Sequence, residues 1–63
     1  MNMFNEDWTQ VSQRHDLMIE MGTLEMALER VGLQSREAER ERLVPQIKAR
    51  LQNVSDKLER LAA

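Results

Sequence analysis

The chain has no cysteine and no tyrosine, and it carries one tryptophan, one phenylalanine and one histidine. Without cysteine, no disulfide and no thiolate metal site can reinforce a small core. Two aromatic residues are too few for a compact β fold. The two glycines, Gly22 and Gly32, stand apart, so no glycine-rich phosphate loop exists. No apolar run approaches the roughly 20 residues needed to span a membrane, and no signal-peptide pattern opens the chain. A cytoplasmic location is the expectation.

What remains is rich in Glu, Arg, Leu, Gln, Met and Ala, a composition that favours helix throughout. Sixty-three residues allow one domain, and a chain this short buries only about 60% of its unfolded surface. Oligomerisation or docking on a partner is the remaining way to stabilise so small a scaffold.

Leu17, Met21, Leu24, Leu28 and Val31 recur at intervals of three and four residues. Val44, Ile47, Leu51, Val54, Leu58 and Leu61 do the same further on. These two helical seams predict an all-α, antiparallel two-helix hairpin. Its first helix runs from about 6 to 31, its hinge from 32 to 34 and its second helix from about 35 to 62. Asn5, followed by Glu6 and Asp7, is expected to cap the first helix. Gly32 fits a left-handed C′ position, with Leu33 folded over Leu28, and Ser35 fits the cap of the second helix. Pro45 lacks the N–H that would reach Glu41, so a kink, or a short helix over 35–43 followed by a second, is expected. A hinge near residue 33 sets Leu24 opposite Leu43 and Met21 opposite Ile47, with Leu17 near Leu51. It also brings Trp8 level with Leu58, and Phe4 near Leu61.

The first helix is not simply amphipathic. At about 100° per residue, Phe4, Trp8, Val11, His15 and Met18 lie on a line nearly opposite its hairpin seam. Ile19, Gly22 and Met26 continue that line. One neighbour covers one face, and a helix apolar on two faces is normally buried by several neighbours. The expectation is a homodimer, most simply a four-helix bundle, or a partner protein docked on the second face. The alternative is a break near Ser12–His15 that folds the first turns back. Trp8 and Phe4 mark either a partner site or the open end of the core. Met18, Met21 and Met26 supply either core packing or an adaptable binding surface.

Charge is unevenly spread. Residues 1–31 hold six acids against Arg14 and Arg30, whereas residues 35–63 hold seven bases against five acids. The opposed signs favour antiparallel pairing of the halves. Mild overall acidity argues against a general nucleic-acid binder.

Catalytic patterns are absent. Ser12 stands three residues from His15 with no third orienting group, and Ser35 and Ser55 have no histidine in reach. A single histidine without cysteine falls short of a zinc site. His15 reads as a boundary residue at an interface. No enzyme activity, metal or cofactor is expected.

The hairpin's size and topology resemble the Rop family, RNA-binding dimers that form four-helix bundles. That resemblance implies RNA binding through Arg36, Arg40, Lys48, Arg50 and Lys57, although the first helix here is acidic where a Rop-like RNA face is basic. In size and in needing a partner, the chain is also similar to the small two-helix export chaperones of type III secretion. Ser55-Asp56-Lys57-Leu58-Glu59 resembles the Ser-x-x-Leu-Asp signature of small sporulation aspartyl-phosphate phosphatases, with Glu59 replacing the final acid. The function expected from the residues themselves is a non-enzymatic interaction module: a regulator, adaptor or chaperone subunit.

Overall fold

A computed structural model describes the backbone of residues 2–62 and the side chains of residues 8–61. Two helices pack side by side along their length: α1, Asn2–Gln34, and α2, Glu37–Ala62. At 1.5 Å per residue they measure about 50 and 39 Å. The molecule is accordingly a rod, 53 × 17 × 12 Å, with a radius of gyration of 15.3 Å. A compact chain of this length would have a radius of about 11 Å.

The apolar seams form the interface between the helices. Leu17, Met21, Leu24 and Leu28 of α1 are half-buried, as are Val44, Ile47, Leu51, Leu58 and Leu61 of α2. Among the described residues, Val54 alone is fully buried. The core is one side chain deep because a two-helix contact leaves each apolar row open along its flanks.

The hinge differs from the sequence expectation. Gly32 has no positive φ, and α1 runs through it to Gln34. The Ser35 N–H still donates to the Val31 carbonyl at 3.2 Å, in the helical i→i−4 pattern. Leu33 does not fold over Leu28 but is 77% exposed. The first bond of α2 runs from the Arg40 N–H to the Arg36 carbonyl at 2.9 Å, so Arg36 rather than Ser35 holds the cap position. What closes the turn is Arg40, whose Nη1 donates to the Ser35 carbonyl at 2.5 Å. A cation thus satisfies an orphan carbonyl at the negative end of the α1 dipole, a task the left-handed glycine was expected to perform.

This later hinge moves the register. With helix ending at 34 and resuming at 37, opposed residues sum to about 71 rather than 67, a displacement of about one turn. Met21 accordingly borders one groove with Leu51, Gln52 and Ser55, where Ile47 had been expected opposite it. Leu17 lies beside Lys57 and Leu61 rather than Leu51. The same shift takes Trp8 off the level of Leu58, and Trp8 is exposed on the face of α1 that points away from α2. Phe4 and the capping side chains of Asn5, Glu6 and Asp7 lie outside the described residues, although α1 itself begins ahead of Asn5.

Neither helix breaks internally. The alternative interruption at Ser12–His15 is not found, and α2 runs unbroken through Pro45. Pro45 is exposed, on the side of α2 opposite Val44 and Ile47. The Glu41 carbonyl that it leaves without a donor faces water, while packing on the other side holds the helix together.

The two hinge residues give opposite expectations. Gly32→Ala gains helix propensity at an open position (nothing lies within 4 Å of an added Cβ), so thermal unfolding should show a stabilisation of up to about 1 kcal/mol. Arg40→Ala should destabilise by about 1–2 kcal/mol in the same experiment, because it removes a charged donor from a terminal carbonyl. A loss of stability in Gly32→Ala would restore the left-handed turn.

Candidate functional site

The distinctive surface is the outer face of α1. Trp8 (66% exposed), Val11, Met18, Ile19, Met26 (63%) and Leu33 are large hydrophobics open to solvent. All belong to α1, and no large hydrophobic of α2 is exposed among the described residues. At about 100° per residue they fall within a 100° arc, together with His15 and Gly22. The centre of this arc lies about 155° around α1 from the seam with α2. α1 is therefore apolar on two nearly opposite faces and α2 on one.

The structure sets the sequence-derived interface residues out as follows. Trp8, Val11, His15, Met18, Ile19 and Met26 are exposed on one stripe, and Gly22 is half-buried at its middle. Phe4 has no described side chain. Leu33 extends the stripe to the end of α1; its spacing of seven from Met26 was the available signal, masked by its assignment to the hinge. Met21 lies in the interhelical seam, so the methionines divide between core and surface.

Gly22 has no packing reason within the hairpin. Nothing lies within 4 Å of a Cβ added there, yet glycine in a helix interior costs about 1 kcal/mol relative to alanine. The chain exposes 5409 Å², against about 4,200 Å² for a compact monomer of its mass, a difference that belongs to the two-helix rod as a whole.

Around the stripe the electrostatics are mild. Arg50 joins the helices by placing Nε and Nη2 each 2.6 Å from Oε2 of Glu20. Both nitrogens share one oxygen and both side chains are partly exposed, so this is a register marker more than a stabilising clamp. Lys48 borders a groove with Glu25, and Lys57 and Arg60 border a shallow groove of about 430 Å³ with Asp16. The bases Arg36, Arg40, Lys48, Arg50 and Lys57 do not share one face of α2. Lys48 lies on one flank of the covered seam, Arg50 and Lys57 lie on the other, and Arg40 serves the hinge.

Ser12 and His15 are exposed on a continuous helix. Among the described residues, no three of His, Cys, Asp and Glu gather to hold a metal, and no buried side-chain polar atom lacks a partner. No helix among them is long and apolar enough to cross a membrane. The chain matches no family model, no curated protein and no solved structure with which it was compared.

Glu20→Gln should leave the fold intact and cost less than about 1 kcal/mol in thermal unfolding, with the difference vanishing at high salt. A larger, salt-independent loss would make the pair a structural clamp.

Proposed function

We propose that this chain is a non-enzymatic protein–protein interaction module whose working surface is the outer stripe of α1. Its simplest assembly is a homodimer forming a four-helix bundle, in the role of a small regulator, adaptor or chaperone subunit. One observation carries the reading: six large hydrophobics, aligned from Trp8 to Leu33, remain exposed after α2 has covered the opposite face. Isolated exposed hydrophobics need no explanation, but a contiguous apolar stripe marks an interaction site. Trp8 and Met26 also belong to residue types enriched in protein interfaces. The thin interior supports the same reading, since Val54 alone is fully buried among the described residues.

Size-exclusion chromatography with light scattering tests the proposal directly, and a dimer at micromolar concentration is expected. A well-folded monomer at that concentration overturns self-association. Leu24→Asp, on the seam with α2, should collapse the helical circular dichroism signal, while Met26→Asp should preserve helicity and abolish assembly. Equal loss of helicity in both variants would mean that the two faces are not separable.

A further inference from the structure

We infer that the occupant of the outer stripe is a second copy of this chain, its α1 running antiparallel to the first about a two-fold axis beside residues 20–21. This rests on the interaction reading above and specifies its partner.

The first support is self-complementarity. Every large hydrophobic left exposed among the described residues lies on α1; on α2 only Pro45 and the small Ala38 and Ala49 interrupt an outward face of polar residues. On a second copy, the surface richest in large apolar side chains is therefore the same stripe. A patch that matches itself makes an isologous, two-fold contact.

The second support is charge. Arg14 and Glu25 sit on the same flank of the stripe, and neither has an ion-pair partner among the described residues. In an antiparallel pair like flanks face each other, and residues opposed across the axis sum to about 40. Arg14 then meets Glu25 of the second copy, and Glu25 meets Arg14, giving two symmetric ion pairs. A parallel pair would hold residues 14 and 25 about 16 Å apart along the axis. It would also press Glu29, which interrupts the stripe, against its own copy. The antiparallel register instead sets Glu29 between Val11 and His15 of the second copy.

The third support is Gly22. The axis passes within two residues of it, so each glycine receives Met18 or Ile19 of the other copy. Trp8 falls opposite Leu33, and His15 opposite Met26. Open space around Gly22 in the single hairpin becomes close backbone approach at the centre of the dimer. Because the two apolar faces of α1 are nearly opposite, the α1 pair forms the middle of the assembly and each α2 lies outside, giving a flattened bundle.

A charge-swap cycle tests the pairing. Arg14→Glu and Glu25→Arg should each weaken dimerisation about tenfold at low salt, as measured by sedimentation equilibrium. The double variant Arg14→Glu/Glu25→Arg should return to within about threefold of the original, because both pairs are rebuilt with reversed polarity. Since the chain has no cysteine, a nitroxide on Ser12→Cys reports direction. The labels should lie about 25 Å apart along the axis if antiparallel, and side by side if parallel. A dimer without rescue, or with adjacent labels, overturns this pairing and leaves the interaction module standing. A chain that stays monomeric overturns the pairing and the self-association beneath it.

Discussion

Two helices lying side by side can each hide one face, and that geometric limit governs this molecule. Along the α1–α2 seam the side chains are half-buried, with Val54 fully enclosed where neighbouring turns of both helices close over it. α2 fits the limit: its large apolar residues occupy one arc, and its other side carries Ala38, Pro45, Ala49 and Gln52. α1 exceeds it. Any structure in which this chain folds alone must leave the Trp8–Leu33 stripe in water, whatever the details of the hinge.

The hinge shows how the same turn can be closed by different chemistry. A glycine four residues after Leu28 satisfies the steric requirement for a left-handed ending, and the spacing by itself gives no reason to choose otherwise. Choosing otherwise requires a competing donor for the last carbonyls of α1. Arg40 supplies it from the first turn of α2, across a break of two residues. Once the guanidinium satisfies the Ser35 carbonyl, Gly32 can remain helical and α1 gains three residues over the expected ending. Those residues displace the partner helix by about one turn. A local contest between two capping modes therefore sets the register of the entire interface.

Helix number, direction and the division into two apolar faces were legible in the sequence because they depend on periodicity over many residues. Leu17, Met21, Leu24 and Leu28 lie in the interhelical seam, as do Val44 through Leu61 at their three- and four-residue steps. The register was not legible, since it depends on one side-chain-to-backbone bond across the hinge, from Arg40 to Ser35, that the apolar periodicity does not encode. Arg40 stood in the sequence only as one of five bases that a Rop-like RNA face would use. Pro45 looked like a break because its penalty was counted without its orientation. Facing away from α1, it gives up a bond that water replaces, and Val44 and Ile47 hold the helix from the other side. Leu33 was hidden by the hinge assignment that the structure replaces, although its seven-residue interval from Met26 already marked it as part of the stripe.

Gly22 links the separate arguments. In the single hairpin it weakens the middle of α1, and nothing within 4 Å would obstruct a Cβ there, so it lowers stability without return. Its place at the midpoint of the outer stripe matters only when another backbone comes near. In an assembly, the helical cost at Gly22 and the exposure of Trp8 and Met26 are both offset by the same event. Folding and association are then linked by mass action, because whatever binds the folded hairpin stabilises it in proportion to RT ln(1 + [L]/Kd). A hundredfold excess of partner over Kd would add about 2.7 kcal/mol, a substantial increment where one side chain among the described residues is fully buried. Were the partner a second copy, the stability of the hairpin would rise with its own concentration.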